Sequence, residues 1–128
     1  MAKDDRGSIT ALVVGLTMTF IACAGLAVDG GRLVTARVRA SDRAENAARL
    51  GAQAITNIRL GVPVVDERLA VETAGDFLRT LGASGRVMAN KFEVCVTIRE
   101  EVRMTLLDLI GVNSRSVSGR RCARPIME

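Results

Sequence analysis

Residues 8–28 read SITALVVGLTMTFIACAGLAV, a stretch of 21 residues without a charged side chain. As a helix this stretch is about 30 Å long, which matches the hydrocarbon thickness of a lipid bilayer. The charged segment MAKDDRG precedes it, and Asp29-Gly30-Gly31-Arg32 follows it. The sequence therefore predicts a leader over residues 1–7, a transmembrane helix over residues 8–28 and a small domain outside the bilayer.

Composition narrows the classes of function. The chain has 128 residues, a formal net charge of +4 and no His, Trp or Tyr. Histidine is the commonest general base and metal ligand, and no phosphate-binding glycine loop follows a strand, so we expect no enzyme, cofactor or metal site. Stacking platforms for bases are also missing, which makes nucleic acid an unfavoured partner. A phospholipid surface better matches the arginines near residue 30.

The helix is predicted to continue beyond the membrane. Small or apolar side chains, mostly Ala, recur at helical spacing up to Ile58. Gly61 and Pro63 then supply a stop, because Gly tolerates the left-handed cap and Pro cannot continue the helix. We therefore expect one helix over about 8–60, with an amphipathic extension over 29–60 and a head domain over 61–128.

Two features of the extension are candidate functional sites. Asp29-Gly30-Gly31-Arg32 marks the membrane boundary, and its two glycines cost about 1–2 kcal/mol of helix stability, which makes the run a candidate hinge. The Ala-rich stripe is expected to pack on the chain's own head over residues 47–58. Closer to the membrane it is expected to pack against sister subunits through Leu33, Ala36, Ala40 and Ala44.

The head is predicted to begin with a second helix over about 66–81. Asp66 is a plausible N-cap and Gly82 a plausible stop. A short helical turn is expected over 105–110 (TLLDLI), plugging the sheet described next.

The rest of the head is predicted to be a small antiparallel sheet over about 86–124. Phe92, Val94, Val96 and Ile98 alternate with polar residues, which indicates a half-buried strand. A partner strand is expected over 86–89 and a last strand within 114–124. The expected fold class is thus α+β, with three strands packed on the second helix and on the Ala stripe.

The sequence contains three cysteines, of which Cys23 lies in the apolar stretch. Cys95 and Cys122 both have the parity of the polar face of their strands, which favours a cross-strand disulfide over two exposed thiols. Such a bridge closes a loop of about 28 residues and contributes about 3–4 kcal/mol in the chain-entropy model. It also requires an oxidising compartment, so it predicts a head outside the cytoplasm. Two unpaired cysteines remain the alternative.

The order of these features resembles that of type IV pilin-like proteins. More specifically, the chain resembles the TadE/TadG-like pilins and pseudopilins of tight-adherence (Flp, type IVb-like) pilus systems, in the form found in actinobacteria. The motifs that carry this resemblance are RGSITA over residues 6–11, AGLAVDGGR over 24–32 and AENAARLGAQA over 44–54. The strand, TLLDLIGV and strand pattern at the C-terminal end agrees with it.

The resemblance implies a non-enzymatic pilin-like subunit or assembly component of a pilus or type II-like secretion apparatus. Implied partners are like subunits and other pilins, the inner-membrane assembly platform, a secretion-type ATPase, the lipid bilayer and a prepilin peptidase. That peptidase would cut between Gly7 and Ser8. The chain departs from the pilin pattern at Leu12, where pilins carry Glu, and this departure points to a minor or membrane-retained component.

Two other classes of protein remain open. One is a secreted domain with a signal peptide cleaved after Ala24 or Ala27. The other is a single-pass membrane adaptor with a cytoplasmic head, which the positive-inside rule favours because Arg32, Arg37, Arg39 and Arg43 all lie on the head side. We expect a single-pass cell-membrane protein whose head is extracytoplasmic and enters a surface pilus.

Overall fold

The computed structural model describes residues 6–56 and 58–126, with the backbone alone at Arg6 and Ile58. Most of the predicted leader lies outside these residues. The fold is α+β, as predicted, and joins one very long helix to a compact head. Its elements, in chain order, are α1 (Arg6–Ala52), β1 (Ile55–Thr56), a 3-10 turn η1 (Ile58–Leu60), β2 (Val64–Val65), α2 (Glu67–Thr80), β3 (Gly85–Ala89), β4 (Val94–Arg103), a 3-10 turn η2 (Leu107–Ile110) and β5 (Ser114–Ala123).

The helix α1 ends at Ala52 rather than near residue 60. A tight turn closes it, in which the Ala54 amide bonds to the Gly51 carbonyl at 3.1 Å. The chain then forms the small antiparallel pair β1–β2, with Ile55 opposite Val65. This pairing holds the segment extended, because β-branched side chains favour a strand over the end of a helix.

The helix α2 begins and ends as the sequence predicts. The Asp66 carboxylate accepts hydrogen bonds from the amides of Arg68 and Leu69, both at 3.1 Å. These bonds satisfy two of the amides that a helix N-terminus leaves free. At the other end Gly82 has φ of 61°, the left-handed conformation that glycine adopts without strain.

The three-stranded antiparallel sheet is also as predicted, in the order β3-β4-β5. Val94, Val96 and Ile98 on β4 are fully buried and face the two helices. Phe92 does not extend this buried face, because it lies in the turn before β4 and is 76% exposed. The core is completed by small side chains from α1 and α2, among them Ala40, Ala44, Ala47, Ala48, Ala52, Ala70 and Ala74.

The sheet approaches α1 very closely because one strand carries a glycine at the contact. A Cβ atom placed on Gly119 in β5 would lie 2.5 Å from the Ser41 nitrogen and 2.7 Å from the Ala40 carbonyl carbon. No side chain fits at such distances. Glycine on the strand and alanine on the helix therefore set the separation of the two elements.

Candidate functional site at the junction of membrane helix and head

The membrane boundary predicted at Asp29 is where the far end of the head docks on α1. Asp29 is fully buried. Its Oδ1 accepts a hydrogen bond from the Thr105 amide at 3.0 Å, and its Oδ2 accepts from the amides of Leu106 at 2.9 Å and Leu107 at 2.8 Å. One carboxylate on α1 thus satisfies three consecutive amides, the two that precede η2 and the first of η2 itself.

These contacts favour the ionised form of the Asp29 carboxyl. The Leu107 amide, followed by the Thr105 and Leu106 amides, lowers the pKa of the Asp29 carboxyl below its ordinary value, and the positive charge of Arg32 acts in the same direction. Burial alone would raise this pKa, but the hydrogen bonds to the charged form outweigh it. Arg32 also donates a hydrogen bond to the Thr105 hydroxyl, so both ends of the predicted boundary motif bind the same turn.

The two glycines between them do not interrupt the helix. Gly30 and Gly31 are helical within α1, and apart from the helix's own backbone no atom of the described residues lies within 4 Å of a Cβ placed on either. The hinge stays a prediction. The sequence predicted Asp29 and Arg32 as the ends of a membrane boundary, but not their shared partner η2. The available signal was a lone Asp ending an apolar stretch, since a carboxylate there needs hydrogen-bond donors.

The turn η2 does not plug the sheet as predicted. It has no buried residue, and Leu109 is 82% exposed. Instead, η2 packs beside α1, where a Cβ placed on Gly25 would lie 3.2 Å from Leu106 Cβ. The reason is the three hydrogen bonds that the Asp29 carboxylate accepts, because they hold this segment against α1 and away from the core.

The predicted subunit-packing residues need a correction. Ala40 and Ala44 have no exposed surface, and Ala36 is only 7% exposed, because β4 and β5 extend down α1 and cover them. The alanine stripe in this region packs on the chain's own head rather than standing free for another subunit. Of the predicted set, Leu33 is partly exposed.

The N-terminal half of α1 instead carries a long exposed apolar surface. The helix is long and apolar enough to cross a membrane, and almost none of its most apolar window is buried. Large apolar side chains with more than half of their surface exposed include Ile9, Leu12, Val13, Val14, Leu16, Met18, Phe20, Ile21 and Leu26. Gly7 and Ser8 are exposed at the start of this segment, and cleavage between them stays a prediction.

The predicted disulfide is present. Cys95 and Cys122 are directly opposite each other in the β4–β5 pair and are bonded. Cys23 is a free and exposed cysteine on the apolar half of α1. An ion pair between Arg43 and Glu100, at 2.8 Å, adds a polar contact between α1 and β4.

An apolar helix that continues without a break into a small, disulfide-bonded α+β head is the layout of a pilin-like protein. Residues 7–54 match the family model described as putative Flp pilus-assembly TadE/G-like, so the resemblance to this family is confirmed over α1 and the turn after it. The match covers fewer than half of the residues and suggests a pilus component. The head lies outside the match, and the actinobacterial form stays a prediction. No curated protein and no solved structure matches the chain.

Proposed function

We propose that the chain is a minor pilin or pseudopilin, a non-enzymatic subunit or assembly component of a tight-adherence pilus. The observation that carries this proposal is the division of α1 into two halves. Its first half exposes a continuous apolar surface, and one face of its second half, lined by alanines, is buried by the head. The family match covers both halves.

In this role the apolar half of α1 has two successive environments. It first lies in the lipid bilayer, where every backbone polar group is satisfied within the helix. It then packs against the same helix of other pilins and the assembly platform. Leu12 lies in this half and is 68% exposed. Its aliphatic side chain favours retention in lipid, because a Glu there is costly unless it is paired.

The proposed location of the head is outside the cytoplasm. The Cys95–Cys122 bridge supports this, because thiols are kept reduced in the cytoplasm. The opposite orientation belongs to the adaptor alternative, which the arginines on the head side favour. Of these, Arg43 on α1 is paired with Glu100 of the head.

The test is the intact mass of the chain in two fractions of the native cell, the purified membrane and the sheared surface filaments. A chain in the filament fraction that lacks residues 1–7 is the expected result for a processed minor pilin. An intact chain found only in the membrane indicates a retained assembly component. A chain cut after Ala24 or Ala27 would overturn the proposal, because the membrane half of α1 would be lost. A variant blocked at the cleavage position, Gly7→Val, serves as the control for processing.

A further inference from the structure

The turn η2 presents an apolar surface that the head does not use. Leu109 and Ile110 are 82% and 75% exposed, and Leu106 beside them is 37% exposed. They are adjacent and lie on one short turn, so they form a patch rather than scattered surface residues. Exposed apolar patches of this kind mark interaction sites.

The patch lies beside the uncharged half of α1. It forms one wall of a groove of about 340 Å³. The α1 wall of this groove consists of Met18, Ile21, Ala22, Gly25 and Leu26. Met18 is about 16 Å below Asp29 along the helix axis, at about 1.5 Å per residue. The head therefore extends past the predicted membrane boundary toward the middle of the apolar segment.

The apolar segment of α1 is only just long enough to cross a bilayer. It is bounded by charged residues at Arg6 and Asp29, and the helix between them is about 33 Å long, close to the roughly 30 Å of a hydrocarbon core. Helix α1 cannot cross a bilayer and leave the stretch from Met18 to Leu26 in water. Any element that packs against this stretch lies at the depth of the lipid.

We propose that η2 inserts into the outer part of the lipid bilayer beside α1, with Leu106, Leu109 and Ile110 contacting acyl chains. The partner is thus a phospholipid membrane, and the head has a second contact with it besides α1. This inference rests on the proposed function, because it requires that α1 cross a membrane.

The order of polarity along the molecule favours lipid as the occupant. Above the patch, Arg32 and Arg103 line one surface depression, where guanidinium groups match lipid phosphates. The carboxylates of that depression are already engaged, Glu100 by Arg43 at 2.8 Å and Glu101 by the Ser114 hydroxyl at 2.7 Å. Apolar side chains below and cationic side chains above reproduce the profile of one membrane leaflet.

Two acidic residues determine how deeply η2 can insert into the bilayer. Asp29 holds the start of η2 through three amides, so the turn cannot slide along α1. Asp108 is exposed on η2 and does not line the groove. Its carboxylate has to stay at the level of the headgroups, because an unpaired charge in hydrocarbon is costly. The insertion is therefore shallow and interfacial.

The chain contains no Trp or Tyr, so a single introduced Trp is a clean fluorescent reporter. The test uses the full chain in lipid nanodiscs, which leave both membrane faces open to solution. Leu109→Trp reports the patch, and Ile110→Trp repeats the measurement at the neighbouring position. Phe20→Trp, in the apolar half of α1, is the reporter for the membrane-spanning helix. Phe92→Trp is the matched exposed control, since it lies at the opposite end of β4.

Each reporter is measured with nanodiscs of brominated acyl chains and with aqueous acrylamide. We expect Leu109→Trp and Ile110→Trp to be quenched by the brominated lipid several-fold more than Phe92→Trp, and to be protected from acrylamide. If they behave like Phe92→Trp while Phe20→Trp is quenched by lipid, the inference fails and the membrane anchor stands. If they are shielded from both quenchers, a second copy of the chain covers the patch, and the lipid assignment is wrong. If Phe20→Trp is not quenched by lipid either, the anchor and the inference fail together.

Discussion

Replacing Gly119 by Ala is expected to separate the sheet from α1. The added Cβ would lie 2.5 Å from the Ser41 nitrogen and 2.7 Å from its Cα. Both atoms belong to the backbone of a long helix, so no side-chain rotation relieves the clash. Strand β5 has to move away by about 1 Å, since carbon atoms pack at about 3.5–4.0 Å. The movement loosens the contact between β5 and the alanines of α1.

The cost is expected at the upper end of the range for overpacking, about 3 kcal/mol of the free energy of unfolding. At about 4–8 °C per kcal/mol for a domain of this size, the head should lose roughly 12–24 °C of Tm. The assay is thermal and denaturant unfolding of the full chain in detergent micelles, followed by circular dichroism and by hydrogen exchange of the β4 and β5 amides. Hydrogen exchange separates unfolding of the head from that of the apolar half of α1.

The matched control is the same substitution at Gly75 in α2. Among the residues that the structure describes, no atom outside the backbone of α2 lies within 4 Å of a Cβ placed there, and the helix interior favours Ala. Gly75→Ala should stabilise the head by about 1 kcal/mol. The close-packing explanation is refuted if Gly119→Ala unfolds at the temperature of the native chain, or if both substitutions change Tm by the same amount.

Three further predictions concern polar and covalent contacts of the head. The amide donors lower the folded-state pKa of Asp29. The stability that the Asp29 carboxylate contributes is therefore present above the ordinary Asp pKa of about 3.9 and is lost as pH falls through the lowered pKa. A pH series of denaturant unfolding should show this loss below about pH 4, and Asp29→Asn should flatten the pH dependence. Reduction of the Cys95–Cys122 bridge should lower the free energy of unfolding by about 3–4 kcal/mol, and an unchanged denaturation midpoint would contradict its structural role. In a double-mutant cycle Arg43→Met and Glu100→Gln should couple by no more than about 1 kcal/mol and lose that coupling at high salt, because the pair is partly exposed.

Local signals predicted most of the head. The alternation Val94, Val96, Ile98 defined the central strand because the side-chain period of two is a property of the strand itself. Asp66 and Gly82 defined α2 because capping depends on the few residues at each helix end. The alternation of side chains on the two strands favoured a Cys95–Cys122 bridge, which the structure contains.

The extent of α1 depended on contacts that local patterns do not contain. Helical periodicity continued through Ile55 because apolar residues kept their spacing, whereas the structure pairs Ile55 with Val65. Which alanines face the head depended on how far the sheet extends along α1. That distance is set by the length of β4 and by Gly119, so Ala40 and Ala44 could not be assigned from the stripe alone.

The role of Asp29 was also beyond local reasoning. Its three amide donors lie 76 to 78 residues away in the sequence. A charged residue at the end of an apolar stretch indicates a membrane boundary, but nothing near it names the element that binds it. The position of the TLLDLI turn could not be predicted locally either. Its apolar composition is equally consistent with packing against the sheet and with an exposed surface at the level of the membrane.

The central claim is that α1 holds the head outside the cytoplasm. The most direct test is the number of free thiols in the chain as it exists in the native membrane. Intact cells are treated with a permeant alkylating reagent before lysis, and the denatured chain is then labelled with a second reagent before and after reduction and weighed. Of the three cysteines, we expect one to be alkylated in the cell and the other two to react only after reduction. Three thiols alkylated without reduction would contradict the claim and indicate a cytoplasmic head.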